Sequence, residues 1–305
     1  MSSAAPQVVV DTPQYSLSVR LSDYGQMLRL RIIVMSAVAV AAGFTLASQV
    51  SVNFALLGQA VFGICCLVAA SSVLNQVIEA SSDQRMSRTE ARPLASGRIS
   101  AVEGSLLGVL LATAGTIVLW LQVNQLTAVA SLLTMLSYVL IYTPLKRLTV
   151  FCTTAGAVPG AMPAVLGWFA AGGALGTEAF ALFAIFFVWQ FPHFLAIGWL
   201  HRRDYEQAGL LMLPSFSDGG FRAGMLALLY AVAFIPVTQV PRYCGLAGDG
   251  YSIAAFVLST GYLWLTLRFS RSRTDGNARK LMAGSLICLP VLLFCLVFDY
   301  LRLTA

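Results

Sequence analysis

Nine apolar runs, each long enough to cross a lipid bilayer, leave this chain few folds to choose from. They lie at about 29–49, 54–78, 102–121, 125–143, 150–172, 178–200, 222–240, 251–269 and 281–301. Inside hydrocarbon every backbone N–H and C=O must find a partner within the protein, so runs of this length form helices. The chain is 58% apolar and only 10% charged, with a mean hydropathy of +0.79, which marks an integral membrane protein. The expected fold is all-α, a polytopic membrane bundle of nine transmembrane helices.

Charge fixes the expected orientation. With the N-terminus in the cytoplasm, 17 of the 19 basic residues fall on the inner side, leaving only Arg242 and Arg302 outside. The reverse orientation inverts that ratio. An odd number of spans then sends the C-terminus outside. Residues 1–28 are polar and carry Pro6, Asp11, Pro13 and Asp23. They read as a cytoplasmic N-terminal segment rather than a secretory signal peptide. Residues 29–305 read as one nine-span domain, whose two largest cytoplasmic links, 79–101 and 201–221, carry most of the chemistry.

Several function classes drop out. The six cysteines sit mostly in apolar runs without CxxC spacing, so they read as small buried hydrophobes rather than a disulfide framework or a zinc site. The net charge of +6 does not point to nucleic acid, because the basic residues sit in short links between spans without interleaved aromatics.

The densest charge lies in NQVIEASSDQRMSRTEARPL, Asn75 to Leu94. Asn75, Glu79 and Asp83 are spaced i, i+4, i+8, so on a helix they form one polar stripe, each about 40° from the last. Carboxylate and amide oxygens suit a hard cation such as Mg²⁺, which commonly bridges protein to phosphate. Arg85, Arg88 and Arg92 follow one or two turns on, where guanidinium groups can take phosphate oxygens. A topogenic loop would need the arginines but has no use for the acid stripe.

Three further stretches join this one. In WQFPHFLAIGWLHRRDYEQAGLLMLP, Gln190, His193, Ile197, His201 and Asp204 fall near one helix face, which ends at the cytoplasmic boundary with Arg202, Arg203 and Tyr205. An intramembrane histidine is costly enough to count as a functional candidate, although a hydrogen bond to a neighbouring helix explains it equally well. Asp204 reads as a second cation-side carboxylate or as an ion-pair partner of its basic neighbours. Tyr142, Lys146 and Arg147 in YTPLKR close the fourth span, where two cations can reach a diphosphate and Tyr142 can face a developing carbocation. A positive-inside anchor is the competing reading. Gly156, Pro159, Gly160, Pro163 and Gly167 are expected to interrupt the fifth span beside a pocket, with close helix packing as the alternative.

The ordered motifs N-x-x-x-E-x-x-x-D-x-x-M-x-R-T-x-x-R-P-L, YTPLKR and PHFLAIGWLHRRDYEQAGLLMLP, with a weaker match at ARKLMAGS (Ala278 to Ser285), resemble the protohaem IX farnesyltransferase (haem O synthase) branch of the UbiA-type intramembrane prenyltransferases. The resemblance covers about residues 25–300 and implies a nine-helix fold. The chain departs from the branch at Ser81, where a third acid is common, at Glu79, where aspartate is frequent, and at Cys288, where an aromatic is usual.

The resemblance implies transfer of a farnesyl group from farnesyl diphosphate to a vinyl group of haem b, in the haem O and haem A route to terminal oxidases. It assigns Asn75, Glu79 and Asp83 to Mg²⁺ and diphosphate, Arg88, Lys146 and Arg147 to the diphosphate charge, and Asp204 to a second metal-side position. His193 becomes a candidate haem contact, with Tyr142, Arg92 and Tyr205 lining the substrates. It further implies a bacterial inner membrane and contact with a haem A synthase or an oxidase assembly. Two alternatives stay open. One is another prenyl acceptor, a quinone precursor or a chlorophyllide. The other is a secondary transporter, whose acids would sit near the midplane rather than at one membrane face.

Overall fold

The computed structural model describes residues 17–48, 51–213 and 220–304. Pro214 and the rest of 214–219 in the second cytoplasmic link lie outside the described residues, as do residues 1–16 of the N-terminal segment. Among the described residues the chain is helical and contains no strand. The helices are α1 (Leu17–Leu28), α2 (Leu30–Ala47), α3 (Phe54–Asp83), α4 (Ala101–Val118), α5 (Gln125–Leu136), the short α6 (Thr143–Leu145), α7 (Cys152–Ala170), α8 (Thr177–Leu200), the short α9 (Arg202–Gln207), α10 (Phe221–Tyr243), α11 (Asp249–Arg271) and α12 (Asp275–Thr304). Helix α4 runs on as a π-helical turn over Leu119–Val123. A second π-helical stretch, Ser137–Tyr142, joins α5 to α6.

Eight of these helical segments are long and apolar enough to span a membrane, so the chain is a multi-pass membrane protein. The run expected at 150–172 forms a helix, α7, but its glycines, prolines and threonines keep it below the hydropathy of the other eight, so the expected count of nine is not reached. Many large side chains on the outer faces, among them Leu106, Leu110, Phe256 and Phe294, are exposed, as lipid-facing positions should be.

Helix α7 is continuous through Pro159 and Pro163, contrary to the expected interruption. Its small residues serve packing instead. A Cβ on Gly167 would overlap the backbone of Val40, and one on Gly43 would overlap the carbonyl of Ala164. The backbones of α2 and α7 therefore touch, in the small-residue packing that holds membrane helices together where hydrophobicity gives no preference. Gly156 leaves room for the ring of Tyr142 in the same way.

Polar clasps fasten the ends of the bundle. On one side α1 is an interfacial helix, with Leu17, Val19 and Leu21 exposed and Met27 fully buried. Arg98 grips Asp23 through Nε and Nη2 at 3.0–3.1 Å. Tyr24 donates to Glu103, and Gln76 Nε2 donates to Met27 O at 2.8 Å. On the opposite side Asp299 of α12 accepts from the backbone N–H of Gly248 (2.7 Å) and Tyr251 (3.2 Å), capping the start of α11 and satisfying donors that helix geometry leaves unpaired. All six cysteines are free thiols.

Candidate active site

The acid stripe does lie on one helix. Asn75, Glu79 and Asp83 occupy the last turns of α3, which runs to Asp83 itself, so the expected link at 79–101 begins only after the second carboxylate. All three are buried, at 0%, 7% and 1% exposure, deeper than a solvated acid face would allow. Each is held by a cation or a hydroxyl. Lys146 Nζ donates to Glu79 Oε1 at 2.7 Å, and Arg92 Nη1 donates to Asp83 Oδ2 at 2.7 Å. Asn75 accepts from Arg29 Nη2 at 3.3 Å and donates to Thr143 Oγ1 at 3.0 Å. Asp83 Oδ1 is buried without a hydrogen-bond partner among the described residues. A buried anionic oxygen left unpaired is costly, and a cation is its natural complement.

Residues 84–100 fold as successive turns that bring Arg88 and Arg92 to the cavity, while Arg85 is exposed and Arg98 pairs with Asp23. Thr89 Oγ1 donates to Asp83 O at 2.9 Å, and Gln84 Nε2 donates to Ala95 O at 2.8 Å, so the segment is tied back onto the end of α3. Burial, followed by the nearby Arg29 guanidinium, lowers Arg92 from its usual value against the pull of Asp83.

A cavity of about 200 Å³ opens between these groups. One wall is charged, formed by Arg29, Glu79, Asp83, Arg88, Arg92 and Lys146. The other is apolar and aromatic, and includes Tyr138, Tyr142, Phe194, Ile197 and Met212. The π-helical stretch widens the last turns of α5 and brings Tyr138 and Tyr142 together, with ring centroids 5.0 Å apart. Lys146 Nζ sits 4.5 Å from the Tyr142 ring centroid.

Of the residues singled out in the sequence, Glu79, Asp83, Arg88, Arg92, Tyr142, Lys146, Ile197 and Tyr205 line this cavity. The others stand apart from its lining. Arg147 donates to the hydroxyls of Ser81 (3.3 Å) and Ser82 (3.0 Å). Asp204 accepts from Ser87 Oγ at 3.1 Å and lies 3.7 Å from His201 Nδ1. The single helix face expected from Gln190 to Asp204 is broken, because α8 ends at Leu200 and Asp204 belongs to α9. Burial and Arg88 lower His201 from the usual imidazole value, against the opposing pull of Asp204. Among the described residues no group of three or more His, Cys, Asp or Glu converges as a metal cage. Mg²⁺ does not need one, since it commonly takes one or two carboxylates and completes its shell with phosphate and water.

His193 is buried one turn deeper on α8 than Ile197, stacked on Trp189 with ring centroids 5.2 Å apart. Ser285 Oγ lies 2.6 Å from His193 Nδ1 and donates its one hydroxyl hydrogen to Met282 O at 2.6 Å. With that hydroxyl donated to Met282 O, Ser285 can accept from Nδ1–H, the tautomer that keeps the lone pair on Nε2.

Sequence reasoning missed Arg29, Tyr138 and Met212 as cavity residues. Arg29 was readable as a cation at the start of the first span, on the same side as the acid stripe.

The model of the UbiA prenyltransferase family matches residues 36–295. This chain belongs to the UbiA prenyltransferase family. Among relatives of this UbiA prenyltransferase is the protoheme IX farnesyltransferase of Koribacter versatilis, 38% identical over 309 residues, covering 98% of this chain and 99% of that one. The protoheme IX farnesyltransferase of Solibacter usitatus is 40% identical over 239 residues, 78% of this chain and 82% of its own. The UbiA fold is shared with a digeranylgeranylglyceryl phosphate synthase, at a TM-score of 0.74 and 15% identity over 93% of this chain and 99% of that one. It is shared as well with a UbiA homologue from Archaeoglobus fulgidus bound to GPP and Mg²⁺, at a TM-score of 0.62 and 16% identity over 90% and 99%.

Proposed function

We propose that this enzyme transfers the farnesyl group of farnesyl diphosphate to a vinyl carbon of haem b, with water completing the side chain, to give haem O and diphosphate. The observation that carries the reading is the mixed lining of the cavity, in which charged groups suited to a diphosphate stand beside apolar and aromatic side chains suited to a prenyl chain. The near full-length identity to proteins named protoheme IX farnesyltransferase supports haem b as the acceptor.

Arg29, Arg88, Arg92 and Lys146 hold the diphosphate and take up the charge that grows as the allylic C–O bond breaks and the bond electrons leave with the diphosphate. Glu79 and Asp83 would hold Mg²⁺, with the unpaired Asp83 Oδ1 available to it. When bound, Mg²⁺ neutralises the leaving diphosphate. Tyr138 and Tyr142 supply the aromatic lining nearest the allylic cation, and the apolar side chains keep water from it until the vinyl group attacks. The new cation, beside the porphyrin ring, then takes the oxygen of water, which loses a proton. Asn75 and Arg147 support the site from behind, Asn75 by orienting Arg29 and Arg147 by bracing the Ser81–Ser82 turn of α3. Asp204 acts from the far side of the 84–100 segment through Ser87, and Tyr205 closes the cavity there.

His193 is the candidate haem contact, and its ring is held by the Ser285 hydroxyl at Nδ1. The basic asymmetry of the links supports a bacterial inner-membrane protein with the N-terminus and this cavity on the cytoplasmic side and the C-terminus outside. Delivery of the product to a haem A synthase or an oxidase assembly follows from the same reading.

Purified protein given haem b, farnesyl diphosphate and Mg²⁺ should yield haem O by mass spectrometry. His193→Ala should weaken haem retention and, where the imidazole ligates iron, move the haem absorption bands. Prenylation of 4-hydroxybenzoate or a chlorophyllide, with haem b untouched, would overturn the acceptor and leave the prenyl transfer.

A further inference from the structure

The charged wall is already paired with itself. Four cations, Arg29, Arg88, Arg92 and Lys146, line the cavity against two carboxylates, Glu79 and Asp83, leaving a net charge of +2. Both carboxylates are engaged at 2.7 Å, by Lys146 and by Arg92. The pairs are shielded from water, the side chains of Glu79 and Asp83 being 10% and 2% exposed, so their attraction is stronger than that of surface pairs.

Neither ligand fits this arrangement alone. A divalent cation entering by itself adds charge to a site that already carries an excess, and beyond the unpaired Asp83 Oδ1 it meets carboxylate oxygens already held by Lys146 and Arg92. A diphosphate entering by itself draws those cations away and leaves two buried carboxylates facing an anion, which is a costly state. Entering together, each ligand frees the partner that the other requires.

We propose that metal and diphosphate bind this cavity cooperatively through an exchange of ion-pair partners, in which Lys146 and Arg92 leave Glu79 and Asp83 for phosphate oxygens and the freed carboxylates take one Mg²⁺. This rests on the reading of the cavity as a diphosphate site. In the empty enzyme Lys146 and Arg92 act as place-holders for the metal, and in the loaded enzyme they act as ligands of the other substrate. The exchange keeps the wall close to balance throughout and discourages a metal ion from settling there without substrate.

The test reads binding rather than turnover. Mn²⁺ bound to the purified full-length protein is measured by its paramagnetic resonance signal, with and without inorganic pyrophosphate, at matched free Mn²⁺. Wild-type protein should hold one Mn²⁺ per chain, and pyrophosphate should tighten it by roughly tenfold or more, within the usual range of coupling between sites. Lys146→Met should have the opposite effect on the two ligands. It frees Glu79, so Mn²⁺ alone binds more tightly than in wild type, pyrophosphate binds less tightly, and the coupling shrinks. Arg92→Met should do the same through Asp83 and guards against a variant that fails to fold.

Equal Mn²⁺ affinity with and without pyrophosphate overturns the exchange, as does weaker Mn²⁺ binding in both variants. Two Mn²⁺ per chain overturns the single-metal assignment. Retention of neither probe by folded wild-type protein removes the diphosphate site itself, and is distinguished from the other outcomes by the absence of any pyrophosphate binding.

Discussion

Asp83→Asn should lower farnesyl transfer by roughly 10²–10³-fold, the scale on which one preorganised charge or donor acts at a transition state. Asparagine keeps the shape of the side chain but removes its charge. The unpaired Oδ1 no longer attracts a divalent cation, and Arg92 loses the anion beside it. The amide still offers an oxygen to Arg92, so the turns tied back to α3 by Thr89 and Gln84 should persist. The check is turnover with radiolabelled farnesyl diphosphate on material that elutes as a single peak at the wild-type volume. Turnover close to wild type at limiting Mg²⁺ would reduce the carboxylate to a structural anchor for Arg92.

Gly167→Val should remove most of the folded protein. The position offers no space, because the backbone of Val40 occupies the place of the new Cβ, and Gly43 meets Ala164 in the same way along the crossing. Ordinary overpacking costs about 1–3 kcal/mol because side chains can shift. Here backbone meets backbone, so α2 and α7 must separate. That separation moves Arg29, just before α2, and Thr153, in the first turn of α7, both of which line the cavity. Gly58→Val is the control, since nothing lies within 4 Å of a Cβ there. Comparable yields of monodisperse protein from the two variants would show that the crossing tolerates a wider spacing.

The two outcomes bear on how much of the molecule its sequence discloses. The i, i+4, i+8 stripe was legible because it lies on a single helix, and periodicity along one helix is what a sequence displays. The helices were legible from hydropathy for the same reason, α7 included, although its glycines and prolines suggested an interruption that the helix does not have. The crossing of α2 and α7 supplied the use for those residues, and it depends on Val40 and Ala164, which no local pattern links to Gly167 and Gly43. The pairing of Lys146 with Glu79 spans 67 residues and was equally out of reach. Sequence singled out Glu79, Asp83, Arg88, Arg92 and Lys146, which the fold brings to one cavity, but not the pairs they form there. Asp204 was placed with the acids because it shares their membrane side, whereas the break at His201 turns it toward Ser87.

Arg29 sits between α1 and α2 with φ 54° and ψ 59°, the one non-glycine residue among those described with a positive φ. An L-residue pays roughly 1–2 kcal/mol for that left-handed geometry. Glycine would relieve the cost at once and would remove the guanidinium from the cavity. A library selected only for heat resistance should therefore enrich glycine at this position and return proteins that are sturdier and poorer at holding diphosphate. Anyone breeding a tougher form of this enzyme needs a counter-selection for catalysis, because at residue 29 endurance and chemistry pull the sequence in opposite directions.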